Sequence, residues 1–142
     1  MRKLIILLIL ACLNGPFAAA QNPEPVALSD SSSWCMVLIP DPQTYNHPTF
    51  ELMMHWIKQN KRRLNIRLVL CTGDLVEQNQ RTVPDGVNGN LPSDKQWQFV
   101  SDAFGILDDV VPYILCTGKH DHGFDRAENR YSQLNSFFPA NR

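Results

Sequence analysis

The sequence predicts an α/β domain built on a parallel sheet, in the order β-α-β-α-β with a further helix after the third strand. Two observations carry this prediction. Three short apolar runs alternate with helical patterns, at a spacing that leaves room for a crossover between successive strands. Each run also ends in a polar cluster. Two of them end in the same Leu-Cys-Thr-Gly turn, in VLCTGD at 69–74 and ILCTGK at 114–119.

The chain opens with Arg2 and Lys3, followed by an apolar run from Leu4 to Leu13. That run is shorter than a bilayer-spanning helix requires. Ala18-Ala19-Ala20 then places small residues ahead of Gln21. The pattern is that of a secretory signal at 1–20, which implies export to a periplasm or to the outside. Lipid attachment at Cys12 is the alternative anchor. Residues 21–33 (QNPEPVALSDSSS) read as a flexible lead-in, and the domain begins at Trp34.

Trp34 to Ile39, stopped by Pro40, reads as the first strand. Pro48 can open the first helix, because its missing N–H is no loss in a first turn. Phe50, Met53, Met54 and Ile57 share one face of it, and Lys58, Lys61, Arg62 and Arg63 crowd its end, where cations suit the helix dipole. The Met pair and Trp56 read as core, and the basic run as a solvated helix end. Ile66 to Cys71 is the second strand. A polar stretch at 79–92 carries Pro-Asp-Gly and Asn-Gly and reads as a surface loop. Ser93 and Gln96 have capping-box spacing, and Trp97, Val100, Phe104 and Leu107 mark the second helix. Val110 to Cys116 is the third strand, with Pro112 near its start. Ala127, Tyr131, Leu134 and Phe138 suggest a third helix that stops before Pro139.

Composition narrows the function classes. The 142 residues are 44% hydrophobic and 19% charged, as in ordinary globular chains. The formal charge of −1 gives no basic patch for nucleic acid. Without the signal segment Cys35, Cys71 and Cys116 remain. An odd count within apolar runs reads as core residues, not as a disulfide framework.

The chemistry-bearing residues gather where α/β sheets place their sites, beyond the carboxyl ends of the strands. The clusters are Asp41-Pro42-Gln43, Gly73-Asp74-Leu75-Val76-Glu77, and Gly118-Lys119-His120-Asp121-His122. Each alone is unspecific. Together they place carboxylates and imidazoles, donors suited to divalent ions, on one sheet edge. Other hydrolytic templates fail. There is no G-x-S-x-G elbow, and Gly118-Lys119 cannot close a phosphate-binding loop with His120 in the Ser/Thr position.

In order and spacing the three motifs resemble those of the calcineurin-like metallophosphoesterases: D-x-H or D-x-Q, then G-D, then G-N-H-D or G-N-H-E. The resemblance runs from about Trp34 onward. It implies the N-terminal β-α-β-α-β portion of a metallophosphoesterase-type α/β sandwich, acting on a small-molecule phosphoester through two metal ions of iron, zinc or manganese type. Asp41 would ligate the first metal, with Gln43 as a weaker ligand where a histidine is common. Asp74 would bridge the two metals. His120 would contact the phosphate or protonate the leaving oxygen, with Asp121 orienting its imidazole. Two departures qualify the match. Lys119 stands where the family's Asn ligates the second metal; an ammonium has donors only and cannot ligate, so it would meet the substrate phosphate instead. Later histidine ligands, commonly in a G-H-x-H, have no counterpart after His122. The resemblance therefore leads us to expect a chain that corresponds to the N-terminal half, with the C-terminal half missing and apolar sheet surface exposed. The alternative is an exported, non-catalytic phosphate- or metal-binding protein with a decayed site.

Overall fold

The structure, a computed structural model, describes residues 28, 30, 32–44, 47–80, 91–124 and 127–140. The expected secretory segment at 1–20, most of the expected lead-in and the centre of the polar loop lie outside these residues. The fold is mixed α/β. Strands β1 (Cys35–Ile39), β2 (Ile66–Cys71) and β3 (Tyr113–Leu115) form a parallel sheet in the order β1-β2-β3. Helix α1 (His47–Asn60) connects β1 to β2, α2 (Ser93–Gly105) connects β2 to β3, and the short α3 (Leu134–Phe137) follows. No described helix is long and apolar enough to cross a membrane.

The central position of β2 follows from its composition. Ile66, Val69 and Cys71 are buried on the helix side, while Leu68 and Leu70 sit half-buried on the other. A strand apolar on both faces suits the middle of a parallel sheet. Register aligns Leu38, Leu70 and Ile114 in one row across the sheet and Ile39, Cys71 and Leu115 in the next.

Both long helices send their apolar stripes to the same core. Phe50, Met54 and Ile57 of α1 and Trp97, Val100 and Phe104 of α2 are buried together with Ile39, Val69 and Cys71 of the sheet. Phe50 meets Phe99 and Phe104 edge-on, with ring centroids 5.9 and 5.8 Å apart, a geometry that adds to the area term. The opposite sheet face is bare: Met36, Leu38 and Ile114 are 49%, 56% and 52% exposed.

Several sequence expectations need correction. Trp56 is 45% exposed, because it lies off the Phe50–Met54–Ile57 stripe. Cys116, after the edge strand β3, is exposed, whereas Cys35 is half-buried against the core and Cys71 is buried within it. The third strand starts at Tyr113, not Val110. Val110 and Val111 close turns back onto Leu107, and Pro112 contributes only its carbonyl, which accepts from the Val69 N–H at 3.0 Å. The Ser93–Gln96 capping box does not form. The N-cap is Pro92, with no side-chain cap. Gln96 instead accepts from the Glu77 N–H at 2.9 Å and donates to the Leu91 carbonyl at 2.7 Å. Ala127 and Tyr131 do not join the third helix. Tyr131 turns on the Asn129 side chain, and its carbonyl accepts from the Gly123 N–H at 2.9 Å.

The cysteines give a check on this packing. Burial pushes the Cys71 thiol up to about 11, so little reactive thiolate is present at mildly alkaline pH. A thiol reagent is expected to label Cys116 quickly and to leave Cys71 unmodified until denaturant is added, as located by peptide mass mapping. Labelling of native Cys71 at the rate of Cys116 would contradict the core described here.

Candidate functional site

The three strand-end clusters meet at the carboxyl edge of the sheet. Their approach begins with two glycines. Gly73 ends β2 at φ +106°, and a Cβ there would lie 2.4 Å from the Gly118 nitrogen. A Cβ on Gly118 would lie 2.2 Å from Asp74 Oδ1. The second and third turns thus touch backbone to backbone, and only glycine fits at both contacts.

Asp74 sits at φ 50° and Asp41 at φ 43°, both left-handed. Aspartate tolerates that region better than most side chains but not freely. Asp74 is half-buried, and its Oδ1 accepts from the His120 N–H at 3.0 Å, across 46 positions of sequence. Its Oδ2 has no partner among the described residues. Asp41 is exposed on the turn after β1.

Gln43 is 6% exposed and joins the first turn to the second. Its N–H donates to the Asp74 carbonyl at 3.1 Å. In the amide orientation that satisfies its surroundings, its NH₂ donates to the carbonyls of Asp74 and, at 3.1 Å, of Asp41. The side chain expected as a weak metal ligand is thus used on the backbone.

His120 lies in a 3-10 turn, Lys119–Asp121, and is 6% exposed. Its Nδ1 is 2.8 Å from the Glu77 carbonyl and 3.5 Å from Glu77 Oε1. A carbonyl only accepts, so in the neutral ring Nδ1 carries the proton and Nε2 keeps its lone pair. The expectation that Asp121 orients this ring is therefore corrected. Glu77 holds the tautomer, a role that its place four residues after Gly73 did not signal.

Asp121 is fully buried and works as a latch. Its Oδ1 accepts from the Val76 N–H at 3.0 Å and its Oδ2 from the Gly118 N–H at 2.8 Å. The second bond resembles half of a capping box, in which a carboxylate reaches back to the first N–H of its own turn. Burial raises the Asp121 carboxyl above the ordinary range, while the N–H groups of Gly118, Val76 and Leu75 pull it back. Next to these residues, the amide of buried Gln78 and the buried Nδ1 of half-buried His122 have no hydrogen-bond partner among the described residues.

Among the described residues no three His, Cys, Asp or Glu side chains converge on one point as a metal site. Of the side chains the resemblance would place on metals, Gln43 is bound to backbone carbonyls, and residue 119 is a lysine.

Two substitutions test the contact between the turns. Gly118→Ala puts a methyl group into the Asp74 carboxylate, and Asp121→Asn replaces one acceptor of the latch with a donor. Each is expected to lower stability by about 1–3 kcal/mol in urea unfolding. A loss below roughly 0.5 kcal/mol, the range of neutral surface changes, would remove the latch from the account.

No family model matches the chain. It is similar to an uncharacterized protein, YvnB, of Bacillus subtilis, with 28% identity over 101 residues, or 70% of this chain. The matched segment is 7% of that protein's length, so the chain spans a small part of its relative.

Proposed function

We propose that this domain carries part of a metal-dependent site for phosphoester hydrolysis, of the calcineurin-like metallophosphoesterase kind. The observation that supports it most is the bond from the His120 backbone to the Asp74 carboxylate. It joins the backbone of His120, whose ring is held at Nδ1 by Glu77, to a carboxylate whose second oxygen has no partner among the described residues, at the carboxyl edge of a parallel sheet. Left-handed backbone at Asp41 and Asp74 is consistent with side chains held for a ligand. The basic start and apolar run before Gln21 support export of the domain.

A cation bound at Asp74 would polarise the phosphoryl oxygens and lower the pKa of water beside it. The chain's own residues account for the rest of the chemistry. Asp41 and Asp74 present carboxylates at the sheet edge. With Nδ1–H held by Glu77, His120 donates from Nε2 to a phosphoryl oxygen or to the leaving oxygen only in its doubly protonated form, and it returns to the neutral ring as the ester bond breaks. Glu77 keeps that nitrogen pointed outward by holding Nδ1. Gln43 and Asp121 bind no substrate; they hold the three turns in register.

The reading is tested with p-nitrophenyl phosphate and bis(p-nitrophenyl) phosphate in the presence of Mn²⁺. Metal-dependent hydrolysis of at least one ester is expected. His120→Ala should lower turnover by about 10²–10⁴-fold, the usual worth of a general acid. Asp74→Asn should remove the metal dependence. A chain that binds Mn²⁺ and inorganic phosphate but cleaves neither ester would instead be the non-catalytic binding protein.

A further inference from the structure

We infer that residues 23–28 occupy the groove between β1 and α1, as a strand added to the outer edge of β1. The inference is independent of the phosphoesterase reading. The groove has a volume of about 380 Å³ and is lined by Val37 of β1 and by Thr49, Leu52, Met53, Trp56 and Ile57 of α1. Leu52 and Trp56 are 68% and 45% exposed, an apolar pair of the kind that marks a docking surface. Among the described residues β1 is an outer strand of the sheet. Its Cys35 N–H and Ile39 carbonyl bond toward β2, to Asn65 and Thr72. Backbone groups alternate along a strand, so Met36 and Leu38 present theirs to the outer edge. The strand CMVLI carries no charge, proline or glycine to guard that edge.

Position, residue type and charge all favour residues 23–28 as the occupant. The Ser33 N–H donates to the Asp30 carbonyl at 3.3 Å, and Asp30 Oδ1 accepts from the Ser32 and Ser33 N–H groups at 2.7 and 2.9 Å. This turn reverses the chain just before β1. Leu28, on its far side, is half-buried although it belongs to no described helix or strand. Pro23 and Pro25 bias Asn22 and Glu24 toward extended backbone. In an extended segment Val26 and Leu28 share one face, and proline is tolerated on an edge strand. Strand addition works on these terms, with main-chain bonds to the edge and alternate side chains in a groove. The basic run Lys58, Lys61, Arg62, Arg63 and Arg67 follows Trp56, and residues 52–73 contain no Asp or Glu. Asn60 links the two features: its Nδ2 donates to the Trp56 carbonyl at 2.8 Å, and its Oδ1 accepts from Arg63 Nε at 3.0 Å. Residues 21–33 supply the opposite sign, with Glu24 and Asp30 and no Lys or Arg. The apolar run at 4–13 contains no acid to match.

The test reads the solvent access of Trp56. The full chain carries Trp34→Phe, so that Trp56 and the fully buried Trp97 are its tryptophans. Acrylamide quenching of their fluorescence is compared with that of the same chain bearing Val26→Glu and Leu28→Glu. The double change is expected to raise the quenching constant about twofold, as an apolar indole face returns to water. An excess of a synthetic peptide of residues 21–33 should restore the shielding, which also shows that the altered chain is folded. Exchanging the two side chains, Val26→Leu with Leu28→Val, should leave quenching as in the parent. Equal quenching in parent and double variant would overturn the inference. So would shielding that grows with protein concentration, which would give the groove to a second copy. Shielding that appears only with phosphatidylglycerol vesicles would give it to a lipid surface. Shielding that survives the double change but is lost with Leu7→Glu and Leu8→Glu would give it to the apolar run.

Discussion

The site depends on the direct backbone contact between the turns that follow β2 and β3. Gly73 and Gly118 leave no side chain between those turns, and the Asp121 carboxylate closes the gap by accepting an N–H from each side. The cost of burying that carboxylate shows in its raised titration. Its several N–H partners offset the cost because they are charge-assisted. With the turns latched, the Asp74 side chain meets the His120 backbone and the His120 ring meets the Glu77 carbonyl. The first turn joins through Gln43, whose N–H donates to the Asp74 carbonyl and whose amide donates to the carbonyls of Asp74 and Asp41. The candidate side chains Asp74 and His120 are thus placed by hydrogen bonds among the turns themselves.

Much of the sheet was legible in the sequence because its signals are local. Ile66–Cys71 is apolar apart from the exposed Arg67 and lies between Asn65 and Gly73, so its limits follow directly. Trp97, Val100, Phe104 and Leu107 repeat at helical spacing and are all buried. What could not be read depended on partners distant in sequence. Gln96 has the spacing of a capping residue, yet it is drawn to Glu77 nineteen positions away. Tyr131 continues a helical pattern, yet its carbonyl is taken by Gly123. Trp56 and Cys116 look like core by residue type. Their exposure follows from the packing of both helices on one sheet face, which composition does not reveal.

The candidate site shows the same division. Asp41, Asp74 and His120 were recognisable because chemistry selects their residue types at strand ends. The roles of their neighbours were not. Asp121 was expected on the imidazole and lies instead on two backbone N–H groups. Gln43 was expected on a metal and lies on two carbonyls. Both side chains can serve either purpose, and only the distance between the turns decides which one they meet. Glu77 was overlooked for a related reason: the contributing group is first its backbone carbonyl, which every residue possesses.

One-sided packing also explains why the site is built as it is. The described helices cover the face that carries Ile39, Val69 and Cys71. The turns at the sheet edge are held by bonds among themselves. Left-handed residues at Asp41 and Asp74 would relax if the turns were free to move, since that backbone region is disfavoured for residues with a Cβ. Their persistence requires bonds that over-determine the turns, and the Asp121 latch and the Gln43 bridge are those bonds. The same turn sets the Asp74 Oδ1 on the His120 N–H. The latch between the turns and the left-handed backbone at Asp74 are therefore one arrangement seen at two points.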